Sequence, residues 1–320
     1  MSDTNQGDAT KRAPIPLKIR LKAWWRGYDL TVKERRPAEE EPVAPVDKSV
    51  YQLDPNRPKW ETARVHIVQK IWGSGFNTPG HEQHVLDLVK PFGLNEKKSL
   101  LHIGCGLGGG SRAISKEFNT WVAALERDPE MATAGQALSE QSGMAKKAQV
   151  SRCDLEVIEL EKRRYDCVLA NEVFFGVEHK ERLFKGIGTG LKHDGQFMFT
   201  DFVINEDPSL SRDVDTWVHG EKEPVFPWGL QNYENLLQDV GFDIRVMEDI
   251  TASYLPKVVS GFKNFISNSR ECVSNKQLAE ILVDEVEMWN RRSIALDKGA
   301  LKLYRFYVLG RKETKLMSDW

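Results

Sequence analysis

Two carboxylates and a glycine loop carry the clearest chemistry in this chain. Gly104, Gly106 and Gly108 fall in LLHIGCGLGGGSRAISKEF, Leu100 to Phe118, directly after a short apolar run and directly before helical periodicity. Glycine permits a tight turn and lets a second molecule approach the backbone. Glu126 ends the next apolar run, about 20 residues on, where a carboxylate accepts hydrogen bonds from a ribose diol. Asp154, in RCDLE, ends a third run. There a carboxylate can bond an adenine amino group while Leu155 packs on the ring. A glycine turn that only packs helix on strand would need no acidic partner, so the set points to an adenosine-bearing ligand.

NAD(P) and S-adenosylmethionine both carry adenosine, and Glu126 alone does not separate them. Asp154, a GxGxGGG loop that can wrap a methionine tail without a pyrophosphate pocket, and the terminal strand described below favour S-adenosylmethionine. An NAD(P)-dependent oxidoreductase and a non-catalytic binding or docking protein are the alternatives.

The elements that must position these residues alternate. SLLHIG, TWVAALE, AQVSRCD, YDCVLANE and GQFMFTDFV are strand-like, separated by the helical stretches SRAISKEF, DPEMATAGQALSEQSG and HKERLFKGIGTGLK. Asp128 caps the second of these helices, with Pro129 in its first turn. Strands separated by helices imply an α/β fold with a mostly parallel, Rossmann-like sheet covered on both faces. KWETARVHIVQKIWG and GHEQHVLDLVKPFG are helical, joined by the loop GSGFNTPG. The stretch INEDPSLSRDVDTWVHGEKEPVFPWGL is too long for an ordinary connection and predicts a cap over 204–230. LQNYENLLQDVG, PKVVSGFKNFISN and KQLAEILVDEVEMWNRRSIALDKG follow as helices and FDIRVMEDI as a strand. ALKLYRFYVLGRK closes the fold as a strand inserted beside its predecessor, giving seven strands with the last antiparallel.

LLHIGCGLGGG, ALERDPEM and SRCDLE, followed by YDCVLANEVFFGVEHKERLFKGIGTGLKHDGQFMFTDF, resemble the successive motifs of class I S-adenosylmethionine-dependent methyltransferases. The pattern resembles most the small-molecule branch containing phosphoethanolamine and sarcosine-type N-methyltransferases. The resemblance implies methyl transfer to a small-molecule or lipid-like acceptor. It implies a lid, WGSGFNTPG, with Asn77 and Thr78 on the cofactor. It places Gly104 at the methionine portion, with Cys105, Gly106 and Gly108 in the same loop, Glu126 and Arg127 at ribose and adenine edge, Asp154 and Leu155 at adenine, and Asn171 at the methionine amino group. His102 stands where many relatives carry an acid, and it equally suits a packed strand residue. Gly176 stands where the phosphoethanolamine enzymes place a catalytic histidine, so their substrate does not carry over.

For the acceptor, Glu172 and His179 are the acid–base candidates, though each also suits a helix N-terminus. Phe174, Phe175 and Asp201 lie at or near the carboxyl ends of strands four and five, and Trp217, His219 and Trp228, with Tyr254, are expected to wall the acceptor site. Packing within the cap is the alternative for the tryptophans. No residue set suggests a metal.

The chain has 320 residues and a formal net charge of −2, which gives no nucleic-acid signature. Its four cysteines, Cys105, Cys153, Cys167 and Cys272, show no metal or redox spacing. No secretory signal and no run of about 18 apolar residues is present, so a cytoplasmic protein without a membrane span is expected. Residues 1–48 are expected to form a flexible tail, 49–97 the N-terminal helices and lid, and 98–312 the methyltransferase domain. Within the tail, 14–30 combines tryptophans with lysines and arginines. Such a segment attracts an anionic membrane surface or an acidic groove on a protein, and the sequence leaves both open.

Overall fold

The computed structural model describes residues 62–268 and 276–310. The expected tail, 1–48, with its basic segment 14–30, lies outside the described residues. The element order is α1 (Thr62–Trp72), α2 (His81–Val89), β1 (Ser99–Ile103), α3 (Gly109–Phe118), β2 (Trp121–Glu126), α4 (Pro129–Gln141), β3 (Ala148–Arg152), β4 (Tyr165–Asn171), α5 (Lys180–Gly190), β5 (Leu191–Ile204), α6 (Ser211–Gly220), β6 (Trp228–Gly229), α7 (Leu230–Val240), β7 (Asp243–Asp249), α8 (Thr251–Asn268), α9 (Lys276–Asp297) and β8 (Leu301–Leu309).

Seven strands form one sheet in the order β3-β2-β1-β4-β5-β8-β7, and the two-residue β6 pairs with β5. β1 to β5 run parallel; β8 is antiparallel to both β5 and β7. β1 is flanked by β2 on one side and β4 on the other. Strand order therefore reverses at β1, and open α/β sheets bind ligands in the crevice beyond the carboxyl ends at that point.

Side-chain alternation along β5 loads both faces. Phe197 and Phe199 join an aromatic core with Phe174, Phe184, Tyr233 and Phe306, while Met198 packs with Val89, Phe92, Ile114 and Leu169 on the other face. Phe199 stacks on Phe306 of β8 with ring centroids 4.3 Å apart. That contact holds the antiparallel strand β8 against β5, next to the edge strand β7.

A helical cap stands over the carboxyl edge, and it is larger than 204–230. α9 packs on α1, α6 and α8. Trp72 of α1 meets Phe262 of α8 and Trp289 of α9 at 5.2 and 4.8 Å between centroids. α8 also begins five residues before Pro256. Asp249 Oδ1 accepts the Thr251 N–H at 3.0 Å, so the helix starts there and keeps the proline inside. A proline removes one hydrogen bond, and the tertiary contacts of Tyr254 and Phe262 outweigh that loss.

Candidate functional site

β2 ends on Glu126, which is buried. Its Oε2 accepts the Gly106 N–H at 2.7 Å and its Oε1 the Asp128 N–H at 3.0 Å. These bonds fix the carboxylate plane and leave each oxygen another acceptor site. Burial raises the carboxyl pKa, opposed by the two N–H bonds. The loop reaches Glu126 by turning through positive φ at Gly104 (65°) and Gly106 (56°). A Cβ at Gly104 would lie 2.5 Å from Val173, and one at Gly106 would strike Asn77 Oδ1.

The latter contact shows that the lid is seated on the loop. Gly75 O accepts the Gly109 N–H at 2.9 Å, and Gln69 Oε1 holds the Gly75 N–H at 2.9 Å. Asn77 and Thr78 line the cleft with His102, Gly104, Cys105, Glu126, Arg127 and Asn171. Asn171 Oδ1 is buried with no partner among the described residues. His102 bonds Ser111 Oγ through Nδ1 at 2.8 Å, and burial lowers its pKa to about 4, so it faces the cleft uncharged. Burial, then Glu126, pushes the Cys105 thiol well above its usual range, which leaves it unreactive. Gly108 makes the left-handed N-cap of α3 outside the cleft lining.

Asp154 and Leu155 line a separate cavity with Pro129, Cys153 and Phe226. Arg127 and Glu223 line both cavities and pair with each other. Arg127 also donates to Gly176 O at 2.6 Å, and a Cβ at Gly176 would lie 2.9 Å from its guanidinium. The place expected of a histidine in phosphoethanolamine enzymes is thus filled by Arg127.

Beyond Gly104 the cleft becomes charged. Glu172 follows β4 at φ 52°, uncommon for a residue with a side chain. Its buried carboxylate accepts from Tyr254 Oη at 2.6 Å. Burial raises its pKa to about 7, with the Tyr254 bond and Arg292 pulling the other way. Arg292 donates to both oxygens of Glu221, at 2.9 and 2.6 Å. Arg64 and Lys222 share Glu285 Oε1, with Lys222 at 3.0 Å. His84 Nε2 is buried without a partner among the described residues.

Several expected acceptor residues lie elsewhere. Trp217 is buried against Phe175 and Phe202, with Nε1 on Glu221; Trp228 packs on Tyr233 beneath Lys180; His219 bonds its own helix at Asp215 O. None of the three lines the cleft. Phe174 is core, and Asp201 is fully buried on Tyr233. His179 is exposed, its backbone held by Glu156 outside the cleft. Tyr254 does not line the cleft itself and meets it through Glu172 and the His84 ring. Phe175 and Glu172 do line it.

Residues 80–245 match the family described as a methyltransferase domain. The chain belongs to this family. It is 22% identical over 245 residues to phosphoethanolamine N-methyltransferase 3 of Arabidopsis thaliana, covering 76% of this chain and 49% of that protein. A sterol 24-C-methyltransferase of Yarrowia lipolytica is 25% identical over 198 residues, covering 57% of this chain and 51% of that protein. The chain thus spans about half the length of these curated relatives or less. Among solved structures, Haemonchus contortus phosphoethanolamine N-methyltransferase 2 in complex with S-adenosyl-L-methionine superposes with a TM-score of 0.68 at 20% identity, over 80% of this chain and 59% of that one. A putative sarcosine dimethylglycine methyltransferase from Galdieria sulphuraria gives 0.63 at 16% identity, over 78% of this chain and 98% of that one. These likenesses concern the fold, a Rossmann-like α/β sheet.

Proposed function

We propose that the protein binds S-adenosylmethionine and transfers its methyl group to a small-molecule or lipid-like acceptor. The observation that carries this reading is Glu126. It is a buried carboxylate with one N–H on each oxygen and acceptor capacity left on both, beside the strand-order reversal. The unpartnered Asn171 Oδ1 supplies an acceptor for an ammonium a short way along the same cleft.

In this reading Glu126 holds the ribose diol and Asn171 the methionine amino group, and the adenine extends past the Arg127–Glu223 pair, which lines both cavities, to Asp154 and Leu155 in the neighbouring one. The cofactor supplies an electrophilic methyl on a sulfonium. Displacement there needs the nucleophile held in line and water kept out. Gly75 to Thr78 cover the loop from one side, and the Arg127–Glu223 pair lies where the cleft meets the neighbouring cavity. Relatives named for phosphoethanolamine, sterol and geranyl diphosphate methyl transfer support a small or lipid-like acceptor. The test is release of S-adenosylhomocysteine with a panel of amines, lipids and phenols. Donor binding without turnover of any member would leave a binding protein and defeat the reading.

We also propose a cytoplasmic location, with docking through residues 14–30. Six basic and no acidic residues lie between Lys11 and Arg26. Deleting residues 1–36 should abolish sedimentation with anionic liposomes and leave donor binding intact. Full-length protein that ignores the liposomes would exclude the membrane as its partner.

A further inference from the structure

The arginines and the lysine that line the cleft are paired with carboxylates, and Arg292 occupies the faces of its aromatic residues Phe175 and Trp289. An ammonium is commonly held on aromatic faces. Here the Arg292 guanidinium lies over Phe202 and Trp289, at 4.9 and 4.5 Å from the ring centroids, and 5.6 Å from that of Phe175. A phosphate or carboxylate is commonly held by arginine or lysine. Here Arg292 is paired with Glu221, Arg127 with Glu223, and Arg64 and Lys222 with Glu285. The Arg64, Glu285 and Arg292 side chains are each nine-tenths or more buried, so separating them would leave charges without solvent.

The polar capacity left over at this end of the cleft is acceptor capacity beside two cations, Arg64 and Lys222, which repel an ammonium and leave it to a neutral hydrogen-bond donor. Glu285 Oε2 and His84 Nε2 are buried without partners among the described residues. Burial first, then Lys257, lowers the His84 pKa to about 4, so the imidazole is neutral. Glu172 has Tyr254 on Oε2 and sits two residues past Ala170, at the end of the strand beside Gly104. Its positive φ at a buried position is the kind of backbone cost that folds retain where a side chain must be aimed.

We infer that the acceptor is an uncharged molecule bearing a hydroxyl, and that Glu172 takes the hydroxyl proton. The inference rests on the methyl-transfer reading and names the substrate class for it. As the acceptor oxygen forms its bond to the methyl carbon, its proton passes to the Glu172 carboxylate. The sulfur–methyl bond breaks with its electron pair left on sulfur, so the positive charge of the sulfonium is discharged. The Glu172 carboxylic acid then returns its proton to solvent. Burial and Asp201 oppose the ionised form of Glu172, while Tyr254, Arg292 and Lys257 favour it.

The test has two arms. First, calorimetry without donor measures binding of phosphoethanolamine, ethanolamine and a set of uncharged phenols and alcohols; turnover of the same probes follows with donor present. Heats and turnover confined to neutral hydroxyl compounds are expected. Methylation of phosphoethanolamine or ethanolamine ahead of every neutral hydroxyl probe, or no turnover of any neutral hydroxyl probe, overturns the inference. Second, the kcat of the best probe should rise with pH through about 7. Glu172→Gln should abolish that limb, and Tyr254→Phe should move it to higher pH because a bond favouring the carboxylate is gone. An unmoved limb in both variants rules out Glu172 as the base. Separate calorimetry with S-adenosylmethionine distinguishes these failures from failure of the underlying reading, since a protein that binds no donor fails there first.

Discussion

Glu285→Gln should destabilise the protein strongly. The Glu285 side chain is 1% exposed, and its Oε1 is shared by Arg64 at 8% and Lys222 at 15% exposure. An amide leaves two cations facing one neutral oxygen in a place with little water. Breaking a buried pair by neutralising one partner costs about 3–5 kcal/mol. Lys222 softens this, because burial already lowers its pKa and a lysine without its carboxylate can shed the proton. About 3 kcal/mol remains, or roughly 6–12 °C in Tm at about 2–4 °C per kcal/mol. The pH dependence has a definite sign. Burial raises the Glu285 pKa, but Arg64 and then Lys222 outweigh it, so the folded value lies below the ordinary 4.5. The ion pair's stability is therefore present above about pH 4.5 and lost as pH falls through the folded value. Urea titrations at pH 7 and in the acid range measure both effects, and the variant should approach the wild type as the medium is acidified. Replacing Arg64, Lys222 and Glu285 together by methionine should recover most of the loss, as an apolar substitute for a buried cluster commonly does. A Glu285→Gln protein within about 0.5 kcal/mol of the wild type at pH 7 would refute the reasoning, since that is the range of an ordinary surface change.

Gly106→Ala should weaken S-adenosylmethionine binding at least about tenfold, or about 1.4 kcal/mol, because a Cβ there displaces Asn77 and strains a left-handed turn. Calorimetry checks the affinity and circular dichroism the intact fold; unchanged affinity would mean that the lid is not part of the site. Glu223→Ala removes a partly exposed partner of Arg127, its side chain 19% and that of Arg127 31% accessible, so stability should change by about 1 kcal/mol or less. Dissociation of S-adenosylhomocysteine, followed by stopped flow, should nevertheless quicken; an equal rate would show that the pair does not close over the cofactor.

The sheet and its ligand edge were legible because both obey local rules. Alternation in β5 and the apolar runs of β1 and β4 reflect faces that must be covered, and Glu126 ends β2 while Asp154 lies just past β3. The Asp128 cap was equally local; its carboxylate accepts the Met131 N–H at 2.9 Å. The acceptor end was not legible. Arg64 and Glu285 stand 221 positions apart, and Arg292 and Glu221 71 apart, so no spacing rule joins them. Trp217 and Trp228 carry the composition of a binding wall, but aromatic area buries itself wherever a cap needs a core. His84 sits at i+3 from His81 on an amphipathic helix, and nothing in that pattern marks its Nε2 as unpartnered. Pro256 marked a helix start by its usual preference, and the Asp249 cap overrode it.

The central claim is the cofactor site around Glu126, and isothermal titration tests it most directly. Wild-type protein should bind S-adenosylmethionine and show no heat with NAD or NADP. Glu126→Ala should lose about 1.5–3 kcal/mol of donor affinity, the worth of hydrogen bonds to a charged acceptor. Tight NAD binding with none of S-adenosylmethionine, or full donor affinity in Glu126→Ala, would contradict the account.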